Sequence, residues 1–323
     1  VLIAVLVLFY AFNLYKQTGV RVKMGLLFPG QGAQAVGMGA ELVRRSSIAR
    51  QLFQQASEVL GYDLLKLCSE GPGEQLNRTE FCQPALFVHS LATLRQLEAD
   101  RDDLWDHVTC VAGLSLGEIT AVAAAGGVDL ETGLRLVQLR GTAMQSASDA
   151  VASGMSSIIG LELDKLNEIC RQATQGEQFA QVANLLCPGN IAISGHIPAL
   201  ERAEQQCLAA GAMKAVRLAV AGAFHTPIMQ PAVEKLAAAL ALVNFQTTRV
   251  PVISNVDAAP HSQPDEFRSL LAQQVVSPVL WEASLTRMLT DGCQKFIEVG
   301  AGRVLAGTLK RVQRKIPCEN VGD

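Results

Sequence analysis

Short apolar runs closed by glycine or proline turns alternate, along most of the chain, with longer stretches whose apolar residues recur every three to four positions. The first rhythm predicts buried strands and the second amphipathic helices. The earliest such strand is Gly25-Leu26-Leu27-Phe28, ended by the turn Pro29-Gly30-Gln31-Gly32, where glycines on both sides leave the Gln31 backbone N–H free to point outward. Helical spacing follows over residues 48–60 and 85–97. The run Val108-Thr109-Cys110-Val111-Ala112 then predicts a strand, and residues 129–146 a helix with Asp129 as N-cap. On that helix Leu130, Leu134, Val137, Gly141 and Met144 share one face, with Arg140 at its flank and Arg135 well away from it.

Residues 151–220 read differently. A strand over 155–161, a helix over 164–174, strands over 180–184 and 191–194 around Pro188-Gly189-Asn190, a helix over 198–210 and a strand over 214–218 give the order βαββαβ. That order is ferredoxin-like, and it predicts a small subdomain inserted into a larger α/β domain formed by residues 24–150 and 221–323. After it come helices over 228–243, 267–275 and 281–290, strands over 250–254 and 296–299, and a C-terminal helix.

Composition narrows the picture. With 323 residues, 49% hydrophobic and 5% aromatic, the chain has enough aliphatic side chains for one large core or two modest ones. A net charge of -3 gives no basic excess for nucleic acid. The eight cysteines are scattered, without C-x-x-C or zinc spacing, and are expected to be reduced thiols of a cytoplasmic protein with no metal. Val1 through Leu14 is nearly all apolar, yet falls short of the roughly 20 residues of a membrane span and lacks the basic start of a signal peptide. Residues 1–23 are therefore expected to be a non-native upstream extension, with a membrane anchor as the alternative.

Chemistry concentrates at Gly113-Leu114-Ser115-Leu116-Gly117-Glu118, directly after the strand at 108–112. A serine flanked at two positions by glycine suits a sharp strand-to-helix turn that leaves its hydroxyl exposed, and the helix N-terminus offers N–H groups to developing negative charge. Such a serine needs a base. Among five histidines, His225 stands out in the small-residue loop Ala221-Gly222-Ala223-Phe224-His225-Thr226-Pro227. Arg140 reads as a snorkelling surface arginine or a buried anion receptor, the spacing favouring the former. Glu118 is most simply a first-turn acid complementing the helix dipole.

Phe28-Pro29-Gly30-Gln31-Gly32, the Ser115 motif, Arg135-Leu136-Val137-Gln138-Leu139-Arg140-Gly141, Ala223-Phe224-His225-Thr226-Pro227 and Val299-Gly300-Ala301-Gly302 occur in this order. Together they resemble the bacterial malonyl-CoA:acyl carrier protein transacylases and the acyltransferase domains of fatty acid and polyketide synthases. The resemblance covers residues 24–323 and implies an α/β hydrolase-like core with a parallel sheet and nucleophile elbow. It further implies Ser115 as acylated nucleophile, His225 as base and acid, the Gln31 and Leu116 N–H groups as oxyanion hole, and Arg140 as receptor for the malonyl carboxylate. The backbone carbonyl of Gln274 would orient His225 in place of an aspartate, and Leu116 and Phe224 would disfavour a branched acyl group. The substrates implied are malonyl-CoA and a phosphopantetheinylated acyl carrier protein, with no bound cofactor.

Two positions depart from that pattern. Leu114 stands where the family has histidine, and of the family's Asn-x-Asn only Asn184 is kept. Neither removes a group the chemistry needs. Carrier proteins are acidic, and Lys310, Arg311, Arg314 and Lys315 offer a basic C-terminal helix for docking or, equally, cations that complement a helix end. A serine hydrolase, with Asp129, Asp149 or Asp164 as triad acid or with a patatin-like Asp291-Gly292, is one alternative. A carrier-binding homologue of weak activity is the other.

Overall fold

The computed structural model describes residues 22–322. The expected extension therefore lies, for residues 1–21, outside the described residues. Lys23 already belongs to the fold, its carbonyl accepting from the Gln294 N–H at 2.8 Å.

The strands are β1 (Met24–Phe28), β2 (Val108–Gly113), β3 (Ser153–Ile159), β4 (Ala180–Cys187), β5 (Asn190–His196), β6 (Lys214–Arg217), β7 (Val252–Ile253), β8 (Pro260–His261), β9 (Lys295–Val299) and β10 (Cys318–Val321). They form two sheets, one ordered β10-β9-β1-β2-β7-β8 and the other β4-β5-β3-β6. In the larger sheet all pairs are parallel except β7 with β8.

The large sheet is buried on both faces, as parallel sheets are, and side-chain alternation sorts its residues into two cores. Leu26, Phe28 and Val111 join the layer built on the long helix Thr79–Asp100, whereas Leu27, Cys110 and Ala112 pack with Trp281, Leu285, Leu305 and Leu309. Helix Leu116–Ala124, which leaves the end of β2, is buried at every position. Its alanines let it sit between layers where a helix with an ordinary polar face would not.

In the small sheet, helix Leu163–Ala173 turns Leu166, Ile169, Cys170 and Ala173 onto one face, joined by Leu200 and Ala203 of helix Ile197–Ala209. Met155, Ala183 and Ala192 belong instead to the main core. β4 is also bonded into the larger unit, Leu185 N–H to the Val279 carbonyl at 2.9 Å and Val279 N–H to the Ala183 carbonyl at 2.8 Å.

The expected fold class and the βαββαβ order stand, while several boundaries differ. The helix expected from residue 85 begins at Thr79 and contains Pro84 in its second turn. Proline there removes a single N–H bond, and the tightly buried surroundings hold the preceding turn. β8 and β10 were not foreseen, because two residues, or Cys318-Glu319-Asn320-Val321 at a sheet edge, carry no apolar run. The C-terminal helix is Val304–Val312, so Arg314 and Lys315 lie beyond it rather than on it.

Candidate active site

Ser115 sits between β2 and helix Leu116–Ala124 with φ 52 and ψ -104. A non-glycine residue at positive φ is strained by roughly 1–3 kcal/mol and persists only where its surroundings dictate it. The surroundings are tight. A methyl group at Gly113 would come within 1.8 Å of the Gly117 carbonyl oxygen, and one at Gly117 within 2.2 Å of the Phe28 carbonyl oxygen. The glycine spacing is thus a packing requirement, with the elbow pressed against itself and the end of β1. Asn255, just after β7, fastens it: Oδ1 accepts from the Ser115 N–H at 2.7 Å and Nδ2 donates to the Gly113 carbonyl at 2.8 Å.

His225 also has positive φ, 62, and its ring lies across the turn. Nε2 is 2.9 Å from Ser115 Oγ, and Nδ1 is 2.9 Å from the Gln274 carbonyl oxygen. A carbonyl can only accept, so Nδ1 carries the proton and Nε2 is the acceptor facing the hydroxyl. Gln181, on β4, donates to the His225 carbonyl at 3.3 Å and ties this loop to the small sheet. Burial, and after it the Arg140 charge, lower the imidazole from its ordinary value to about 4. It is therefore neutral at physiological pH.

Arg140 is buried to 1% exposure on helix Leu130–Ala150, so the snorkelling expected from its spacing is corrected. Sequence periodicity placed it at the flank of an apolar face, but that flank is covered by two neighbouring elements rather than by water. Its guanidinium donates to Gln83 Oε1 at 2.9 Å, to Ser115 Oγ at 3.0 Å and to Gln274 Oε1 at 2.9 Å. Burial pulls its pKa down to about 10, opposed by Glu118, so the cation survives.

Glu118 is more than a dipole-complementing acid. It is 2% exposed and accepts from Gln274 Nε2 and from the Asn255 N–H at 3.2 Å. Burial raises it to about 7, against hydrogen bonds from Gln274, Asn255 and Ser254 and the Arg140 charge. Gln83, Gln181 and Asn255 were missed by sequence reasoning. Only Asn255 had a signal, its place at the carboxyl end of a parallel strand, where ligand sites of such sheets form.

Ser115, His225, Arg140, Gln31, Leu116 and Phe224 line one cleft of about 80 Å³, together with Leu114, Gln83, Asn184, Leu218 and Val220. The Leu116 N–H opens its helix, where the first-turn donors have no intrahelical acceptor. Leu114 packs among Leu27, Ala112, Ile253 and Val279. The acids considered as triad partners lie elsewhere: Asp129 caps its helix through the Thr132 N–H, Asp149 accepts from Gln145, and Asp164 is exposed in the first turn of helix Leu163–Ala173; Asp291, the patatin-like candidate, pairs with Arg287. The basic residues Lys310, Arg311, Arg314 and Lys315 are all exposed, and Arg311 donates to the Pro188 carbonyl at 2.8 Å. Among the described residues no group of three or more His, Cys, Asp or Glu could hold a metal ion, and no helix is long and apolar enough to cross a membrane.

A strained serine hydroxyl bonded to a neutral imidazole, with a buried cation 3.0 Å away, suits acyl transfer from an anionic acyl donor. The relatives agree. Residues 26–322 match the acyl transferase domain family. A malonyl CoA-acyl carrier protein transacylase of Haemophilus influenzae is 40% identical over 301 residues, covering 93% of this chain and 96% of that protein. Among solved structures, the malonyl CoA-acyl carrier protein transacylase of Coxiella burnetii superposes with a TM-score of 0.89 at 37% identity, covering 94% of this chain and 95% of that one. A malonyl-transacylase solved in complex with a type II PKS acyl-carrier protein also gives 0.89 at 37% identity, with 93% and 96% covered. On its sequence and its fold alike, the chain belongs to the acyl transferase family.

Proposed function

We propose that the protein moves a malonyl group from malonyl-CoA to the phosphopantetheine thiol of an acyl carrier protein through an ester on Ser115. One observation carries the choice of acyl group: the Arg140 guanidinium lies 3.0 Å from Ser115 Oγ. In malonyl a single methylene separates carboxylate and thioester carbonyl. An acyl group held by its carboxylate at Arg140 thus brings that carbonyl to the hydroxyl. Acetyl leaves the cation unpaired, and Phe224 and Leu116 crowd an α-branch, worth about 1–3 kcal/mol per methylene in such a pocket.

Each half-reaction uses the same groups. His225 Nε2 takes the Ser115 proton as Oγ attacks, the Gln31 and Leu116 N–H groups receive the oxyanion, and the imidazolium returns its proton to the departing CoA thiolate. The carrier's thiol then attacks the ester, with His225 removing its proton and passing it to the departing Ser115 Oγ, which restores the free hydroxyl and the neutral imidazole. The Gln274 carbonyl holds the imidazole in the required tautomer, a part an aspartate plays in other serine enzymes. That carbonyl at Nδ1 speaks against the triad form of the hydrolase alternative, which places an acid there. The reaction asks for no cofactor.

Residues 24–150 and 221–323 form the catalytic core in this reading. Residues 151–220 form the subdomain that closes the cleft, a division supported by the four-stranded sheet falling wholly within it. All eight cysteines are free thiols, which suits a cytoplasmic setting. The exposed Lys310, Arg311, Arg314 and Lys315 are the surface offered to an acidic carrier, and reversing the charge of Arg314 and Lys315 is expected to weaken its apparent affinity. Product analysis tests the whole: malonyl carrier protein is expected, whereas free malonate as the main product would establish a hydrolase.

A further inference from the structure

Glu118 is a buried acid that none of the steps above uses. Gln274 Nε2 donates to Glu118 Oε2 and, at 2.9 Å, to the Ser115 carbonyl, while Gln274 Oε1 accepts from Arg140 at 2.9 Å. The Gln274 side chain thus stands between a buried acid and a guanidinium, its donor end toward the acid and its acceptor end toward the cation. An amide can present either end; the Glu118 oxygen and the Ser115 carbonyl accept at one end and the guanidinium donates at the other, so the acid shares in setting which end faces Arg140. The same acid accepts from the Asn255 N–H, and the Asn255 side chain holds the Ser115 N–H and the Gly113 carbonyl at the entry to the turn.

We propose that Glu118 is a positioning residue for acyl selection. By accepting from Gln274 Nε2 it helps fix that amide with Oε1 toward Arg140, and so holds the guanidinium where a malonyl carboxylate meets it beside Ser115. This rests on the malonyl reading of the site and adds a residue that acts through Gln274 without touching substrate. Removal of the acid leaves the donor end of the amide to the Ser115 carbonyl at 2.9 Å and the longer contact to Asn255 Oδ1 at 3.4 Å, so Gln274 is held less firmly against Arg140.

The measurement is kcat/KM for malonyl-CoA and for acetyl-CoA, each with carrier protein as acceptor, in wild type, Glu118→Ala and Glu118→Gln. Acetyl has no carboxylate for Arg140 to hold, so a role in general packing moves both rates together. The malonyl-to-acetyl ratio is expected to fall about tenfold in Glu118→Ala, the scale of one charge-assisted hydrogen bond, and to recover to within a few-fold of wild type in Glu118→Gln, which keeps an acceptor oxygen. An unchanged ratio in Glu118→Ala, or a Glu118→Gln ratio no better than that of Glu118→Ala, overturns the proposal. Should Glu118→Ala not fold, Gln274→Met cuts the same chain at its middle link while keeping the backbone carbonyl at His225, and an unchanged ratio there overturns it equally. Wild-type protein that forms no malonyl carrier protein would defeat the malonyl reading itself; wild type that does so, with ratios insensitive to both positions, would defeat only this proposal.

Discussion

The carboxyl end of the large sheet and the four-stranded sheet were built under different rules. In the four-stranded unit the helix face over Leu166, Ile169, Cys170 and Ala173 packs on Ile158, Val182 and Ile193, and every member of that core is apolar or a thiol. Local preference and tertiary packing agree there. At the end of β2 they conflict: Ser115 and His225 hold positive φ, and Glu118, Arg140 and His225 are buried within a few ångströms of a cleft. Such a constellation costs stability and survives because the rest of the fold over-determines it. The lesson is that the stable sheet is self-consistent at short range, and the reactive end exists only through contacts between residues far apart in sequence.

The sharpest way to break this contrast is Gly117→Ala. The new methyl would meet the Phe28 carbonyl oxygen at 2.2 Å, so the elbow must shift, and we expect acyl transfer to fall close to background in a rate assay, with a lowered melting temperature. Arg140→Ala comes next. Loss of a charge-assisted contact of about 1.5–3 kcal/mol should reduce kcat/KM for malonyl-CoA by roughly ten- to a hundredfold. Acetyl-CoA turnover should change much less, and equal losses on both would remove the carboxylate-receptor role.

The pH profile sharpens the comparison further. The free-enzyme base must be neutral, and His225 is lowered to about 4, so kcat/KM should hold through pH 6.5 and decline only as pH approaches the depressed value. Since the Arg140 cation disfavours the imidazolium, any activity left in Arg140→Ala should show its acid limb at higher pH than wild type. A limb that stays put would contradict that coupling. The same shift affects stability: the unfolded histidine binds a proton near pH 6.5 that the folded one refuses, so this group destabilises the fold as pH falls from about 6.5 toward 4. The smallest effect on turnover belongs to the other region. Leu166→Ala should cost about 2–5 kcal/mol in a denaturant melt yet leave kcat of the folded enzyme unchanged.

The same contrast explains what could be read in advance. Periodicity located the helices and strands of the small subdomain to within a few residues, because each buries one face against its immediate neighbours. Ser115 and its flanking glycines were legible from local turn chemistry, and His225 from its loop with the help of the family resemblance. Arg140 was misjudged on spacing alone, since its burial is decided by Gln83 and Gln274, 57 and 134 residues away. Glu118 was read as a first-turn acid for the same reason: its partners Asn255 and Gln274 come from the far side of the inserted subdomain.

The central claim is that Ser115 Oγ carries the malonyl group between donor and carrier. Incubation of the intact protein with malonyl-CoA alone, followed by mass measurement, tests it most directly. The account predicts a mass gain of one malonyl group that disappears on adding carrier protein and is absent in Ser115→Ala. A malonylated Ser115→Ala protein would contradict it.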